Sequence, residues 1–274
     1  MKMRRVALKI AYIGSAFHGY QRQPNYRTVE GELLHVFHET GIIEDTWKAH
    51  YSVAGRTDKG VHSTGNVISF ITDKDIYLDQ VNGLLPDDIK IIGEARVPYG
   101  FKVRFPLNRT YTYVQPINPF MGEVDVDSIR DALGYFVGEH NYRNISKRNE
   151  KNPIREIYDV SLECDNKLLI FKVKGKSFLW NMVRKMVSAL MLIGYGKYEP
   201  EVIKRLLEPV DLRREIRLRP VASNGLILSS MQYKDIQFKE NAWGKAKIYE
   251  NLEKMFILQQ QDMYTNCVLR DILE

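Results

Sequence analysis

Residues 109–137 read RTYTYVQPINPFMGEVDVDSIRDALGYFV. The first nine alternate in the manner of a strand, and apolar residues then fall at Ile129, Leu133, Phe136 and Val137 after Asp127, the i, i+4, i+7, i+8 stripe of an amphipathic helix. The same spacing occurs earlier, at Val29, Leu33, Val36 and Phe37, again after a strand-like run in which Val6, Leu8, Ile10 and Tyr12 alternate with Ala7, Lys9 and Ala11. Working outward, the first segment continues with a strand over 48–53, a glycine-punctuated loop over 55–65, a strand over 66–71, a helix over 78–85 and a strand over 89–95. The second continues with strands over 156–163 and 167–173, a long helix from Phe178 to about Ile193 and a last strand over 226–231. Each half therefore reads β-α-β-β-α-β, the ferredoxin-like split unit, although the residues themselves do not repeat. The expected fold is α+β, two such halves whose antiparallel sheets flank a central cleft. The expected division is 1–104, 105–233 and a helical, peripheral extension over 234–274.

The 274 residues are 44% hydrophobic and 27% charged, the profile of an ordinary folded protein. The apolar stretch from Met182 to Tyr195 is interrupted by Arg184 and Lys185 and falls short of the roughly 20 residues a bilayer span needs. The basic N-terminus runs straight into a strand pattern and has no small-residue cleavage site, so no leader is read. Cys164 and Cys267 lie apart from each other and from any His cluster, which excludes a disulfide framework and a zinc site and points to a reducing, cytoplasmic compartment. Forty Lys and Arg against 34 Asp and Glu leave a charge of +6, which favours a polyanionic partner, nucleic acid first.

Chemistry concentrates in AGRTDKGVHSTG, residues 54–65, between two expected strands. Glycines 55, 60 and 65 let the backbone turn sharply and approach a ligand, and Asp58 stands two residues after Arg56 and four before His62. A lone Asp in a loop is ordinarily a turn former, so its neighbours decide the reading.

The loop resembles the signature of the TruA-type tRNA pseudouridine synthases. So do FHGYQRQPNYRTVEGEL (17–33), FKVRFPLNRTYTY (101–113), FLWNMVRKMVSALMLIG (178–194) and NGLIL (224–228), in the family's order along the chain. Ile13, Val103 and Ser188 depart from the residues usual there, at positions with no chemical role. The resemblance implies an isomerase that converts uridine to pseudouridine at positions 38 to 40 of the tRNA anticodon arm, without a cofactor or metal, as a homodimer with one tRNA touching both subunits. Uracil must leave ribose C1′, rotate and rejoin through C5, with no redox change and no net hydrolysis. One positioned carboxylate suffices for that, and Asp58 matches the family's catalytic aspartate. Attack at C1′, attack at C6 and removal of the ribose 2′ proton are all open to it.

The target base must be extruded, at a cost of a few kcal/mol. Arg56 matches the arginine that helps hold the flipped state; otherwise it would pair with Asp58 or a loop carbonyl. Tyr111 matches the tyrosine whose ring stacks on uracil, with Tyr113 on the same strand face. Arg184 matches a residue that turns into the cleft and pairs with Asp58, against the ordinary alternative of a snorkelling side chain. Leu226 matches a position lining the pocket, where a core leucine would look the same. His62 shapes the loop rather than transferring protons. Lys172, Lys174 and Lys176 on one strand, and Arg213, Arg214, Arg217 and Arg219, are candidate phosphate contacts.

Two rivals stand beside this reading. Tandem β-α-β-β-α-β units also build non-catalytic RNA-binding proteins, but the aromatic signature of those domains is missing here. A carboxylate-metal nuclease would need more acidic residues near Asp58 than the loop offers.

Overall fold

The computed structural model describes residues 3–117, 122–147, 151–165 and 168–273. The first half runs β1 (Arg4–Tyr12), α1 (Val29–Glu39), β2 (Ser52–Val53), β3 (His62–Thr72), α2 (Leu78–Leu84) and β4 (Ile89–Val97). On one side of β1, Leu8, Ile10 and Tyr12 pack in a cluster with Leu33 and Phe37 of α1 and Val81 of α2. Alternation suggests a strand half buried on one side, but β1 is covered on its other side as well. Ala7 joins Ala54, Ala95 and Val103 in a second cluster, so both faces are buried and small alanines make room for the second cover. The Thr28 hydroxyl caps α1 by accepting from the Gly31 N–H at 3.2 Å. The strand expected over 48–53 shrinks to two residues because Asp45 Oδ1 accepts from the N–H groups of Trp47 and Lys48, making a turn.

The second half runs β5 (Asn108–Pro116), α3 (Val126–Leu133), β6 (Gly138–Asn141), β7 (Ile154–Cys164), β8 (Leu168–Gly175), α4 (Met182–Gly194), α5 (Val202–Leu206) and β9 (Leu226–Gln232). α3 and α4 cover one face of β5, β7 and β8 through Ile129, Met186 and Leu190 against Tyr113, Phe171 and Val173. Asp125, rather than Asp127, caps α3, and the helix ends at Leu133, leaving Val137 exposed. The long helix begins at Met182, four residues later than its apolar stripe suggests. Asn181 adopts a left-handed conformation at φ 62°, which places residues 178–181 outside the helix. Lys167, at the expected start of β8, lies outside the described residues, as do Met1, Lys2 and Glu274.

The two expected sheets are one. From β4 inward the strand order is β4-β1-β3-β9-β5-β8-β7-β6, with β2 on β3, and the halves join where β3 and β9 pair in parallel at His62–Ile227 and Ser63–Leu228. Gly65 permits that approach, since a Cβ there would lie 2.5 Å from the Ser229 carbonyl oxygen. The tail adds β10 (Lys239–Glu240) to the edge at β4, and α6 (Ala242–Leu273) docks at its start, where Gly244 is buried beside Ile91 and Asn82. Among the described residues no helix is long and apolar enough to cross a membrane.

Candidate active site

The 54–65 loop is fastened from several sides. Tyr12 and Thr57 share a hydroxyl hydrogen bond of 2.8 Å, the Tyr20 N–H donates to the Thr57 carbonyl, and Asn66 bonds both backbone groups of Gly55. Of its glycines only Gly60 requires positive φ, at 83°; Gly55 and Gly65 serve close packing instead of turning the chain. From Gly60 the Val61 N–H returns to the Asp58 carbonyl at 3.2 Å. The strand expected from 66 begins at His62, so the last four residues of the loop already belong to β3.

His62 is the pin between the halves. Its Nδ1 accepts from the Gly14 N–H at 3.1 Å, which leaves Nε2 to donate to the Asn224 carbonyl, also at 3.1 Å. Burial pushes its pKa down, the carbonyl contact opposing, which agrees with a neutral ring. Gly14 is as tightly held, because a Cβ there would lie 2.1 Å from the Val61 carbonyl oxygen.

Asp58 stands at a cavity of about 420 Å³ on the helix-covered side of the sheet, near the seam of β3, β9 and β5. Arg56, Tyr111, Arg184 and Leu226 line the same cavity, so all five residues singled out in the sequence converge. Leu226 is buried at the start of β9. The Tyr111 ring meets Phe178 edge to face at 5.1 Å. Burial raises its pKa, with Arg109 opposing and the Asp58 charge adding to the rise. Tyr113 is core, 3% exposed, its hydroxyl donating to the Ala222 carbonyl. Arg56 is exposed at the mouth, and among the described residues no hydrogen bond or ion pair holds its guanidinium.

Arg184 turns into the cavity beside Asp58, but it bridges other groups rather than forking onto the carboxylate. Arg184 Nε donates to the Val221 carbonyl at 2.7 Å and Nη1 to Asn181 Oδ1 at 3.2 Å, while Nη1 stays 3.8 Å from Asp58 Oδ2. The side chain is too occupied to pair bidentately. The partner at hydrogen-bond distance from Asp58 is instead the Trp180 indole N–H, 3.1 Å from Oδ2. Among the described residues no hydrogen bond reaches Oδ1, which leaves that oxygen available to act.

Residues 132–234 match the family model described as tRNA pseudouridine synthase. A "tRNA pseudouridine synthase A" of Methanosphaera stadtmanae is 66% identical over 273 residues, 99% of this chain and all of that one. The chain belongs to the tRNA pseudouridine synthase A family. A second "tRNA pseudouridine synthase A", from Methanothermobacter thermautotrophicus, is 40% identical over 99% of this chain and 98% of that one. Among solved structures, a chain titled "Crystal Structure of a Cbf5-Nop10-Gar1 Complex" is 12% identical, with a TM-score of 0.36 over 68% of this chain and 45% of that one.

As a synthase of this family, the chain places several cavity residues that its sequence patterns did not single out. Phe178 and Trp180 read as members of a helix, and only the left-handed Asn181 turns them toward Asp58. Gln21 and Thr57 lie in quoted motifs without a distinguishing pattern. Arg109 donates to the carbonyls of Ala54, Arg104 and Lys176, tying β5 to the loop; arginine in RTYTY was its only signal. The basic patches differ from each other. Lys172 pairs with Glu163 and Lys176 with Glu156, whereas Arg214, Arg217 and Arg219 are exposed and, among the described residues, unpaired.

Proposed function

We propose that this isomerase converts uridine to pseudouridine at positions 38 to 40 of the tRNA anticodon arm, with Asp58 as the catalytic carboxylate. The observation that carries the reading is the meeting of Asp58, Tyr111, Arg56, Arg184 and Leu226 around one cavity from four separate stretches of sequence. In the reaction the N1–C1′ bond breaks, a C5–C1′ bond forms, the C5 proton leaves and N1 gains a proton, so nothing is oxidised or hydrolysed. Asp58 Oδ1 is the atom that engages the nucleotide. Tyr111 stacks on the extruded base, supported by the Phe178 ring at its side. Arg56, unpaired at the mouth, contacts the flipped strand, and Leu226 supplies the apolar wall. Arg184 positions Asp58 through Asn181 and the 221 segment rather than by a fork of its own.

The finer architecture we infer is two ferredoxin-like halves, 1–104 and 105–233, followed by an extension over 234–274. Its support is the repeated strand order, β4-β1-β3-β2 in the first half and β9-β5-β8-β7 in the second. We further infer a cytoplasmic homodimer in which a second copy extends the basic track, Arg214, Arg217 and Arg219 among its phosphate contacts. Light scattering tests the dimer, and a fully active monomer contradicts it. The function is tested by incubating the protein with uridine-labelled tRNA transcripts, without metal or nucleotide, and mapping pseudouridine. Product confined to positions 38 to 40 is expected; product elsewhere or none contradicts the assignment.

A further inference from the structure

Trp180 makes a contact that the isomerisation itself does not require. Its indole N–H donates to Asp58 Oδ2 at 3.1 Å, closer to that oxygen than Arg184 at 3.8 Å. The ring lies in the turn between β8 and α4, lines the cavity beside Phe178, and is 51% exposed. Over its face stands the Lys147 ammonium, 3.3 Å from the ring centroid, and the Lys147 N–H donates to the Trp180 carbonyl at 3.1 Å. The indole is thus held at its edge by a carboxylate and on its face by a cation, both at the solvent boundary. Contacts of that kind exchange for water or for a ligand at small cost. A nucleobase entering the same cavity competes directly for the place the indole occupies beside Asp58.

We propose that Trp180 is a displaceable latch, capping Asp58 in the tRNA-free enzyme and leaving it when the target nucleotide enters. The inference rests on the reading of Asp58 as the catalytic group. Entry breaks the Nε1–Oδ2 hydrogen bond and no covalent bond. Trp180 acts here as a positioning residue, through its hold on Asp58. While the latch is closed Oδ1 is still free but the ring takes part of the cavity that the base must enter, so apparent affinity is lowered by the fraction of molecules that are open. Trp180→Phe keeps an aromatic ring and removes the donor, which raises the open fraction by about three- to tenfold for one half-exposed hydrogen bond.

The test measures kcat and KM for pseudouridine formation in the wild type and Trp180→Phe, together with tryptophan emission of both during tRNA titration. Subtracting the variant's emission removes Trp47 and Trp243 and leaves Trp180. KM is expected to fall about three- to tenfold in Trp180→Phe, with the gain in kcat/KM carried by KM. The Trp180 difference emission is expected to change along the tRNA binding curve. An unchanged or raised KM, or a difference emission indifferent to tRNA, overturns the latch, as does a loss confined to melting temperature and kcat, the pattern of a purely structural residue. Asp58→Asn assayed alongside separates the two levels, because an active Asp58→Asn enzyme overturns the catalytic reading itself, and the latch with it.

Discussion

Arg184→Ala tests whether this guanidinium acts by bridging backbone segments or by pairing with Asp58. The substitution deletes donors at 2.7 Å to the Val221 carbonyl and 3.2 Å to Asn181 Oδ1, from a side chain only 16% exposed. Hydrogen bonds from a charged donor are worth about 1.5 kcal/mol each at the lower end, so their loss destabilises by about 3 kcal/mol. The 3.8 Å contact with the 41% exposed Asp58 adds less than about 1 kcal/mol. For a chain of this size about 2–4 °C of melting temperature accompanies each kcal/mol, which gives a fall of about 6–12 °C. Arg184→Lys keeps the charge but cannot span both acceptors, so about half that fall is expected. Releasing Asn181 also shifts the turn carrying Trp180, and a displacement of roughly 1 Å at reacting groups lowers kcat about 100-fold. Calorimetry and single-turnover kinetics on both variants supply the assay. An Arg184→Ala protein melting within about 1 °C of the wild type would refute the bridge.

Other perturbations follow from the same geometry. Gly14→Ala drives a Cβ to 2.1 Å from the Val61 carbonyl oxygen, with backbone on both sides, so a loss of about 2 kcal/mol or more is expected in urea denaturation; an unchanged midpoint contradicts the packing described. His62 is held neutral, its folded pKa below the ordinary value of about 6.5. The stability it contributes is therefore present above pH about 6.5 and is lost as pH falls from there toward its folded pKa. The stability difference between wild type and His62→Gln, from urea melts at pH 7.5 and 5.5, should shrink at the lower pH, and a constant difference contradicts the neutral pin. Tyr111→Ala removes a stacking ring and should cost about ten- to hundredfold in kcat/KM, while Tyr111→Phe costs much less; equal losses would assign the role to the hydroxyl.

Much of this architecture is legible in local pattern, and the failures have physical causes. Spacing alone places α1, because the apolar stripe from Val29 to Phe37 meets a threonine cap and ends before a left-handed Gly41. The joining of the halves is not legible, since β3 and β9 meet through two parallel residue pairs whose contact depends on Gly65 having no side chain. At the site, resemblance to the family's motifs brings Asp58, Tyr111, Arg184 and Leu226 to notice, and the fold gathers them. The Trp180 contact escapes because Phe178, Met182, Met186 and Leu190 continue a helical period through residues that the chain bends away at Asn181. Arg184 escapes in part for a related reason, as its nearest acceptor, the Val221 carbonyl, is 37 residues away and has no side-chain signature.

The most direct measurement is pseudouridine formation by Asp58→Asn on a tRNA transcript, with tRNA affinity measured on the same preparation. Asparagine keeps the shape of the side chain and loses the acting oxygen's charge. Turnover should disappear while affinity, set by phosphate contacts over a broad surface, stays near that of the wild type. Pseudouridine forming at a comparable rate in the Asn enzyme would contradict the account, because the carboxylate would then not be the group that carries the reaction.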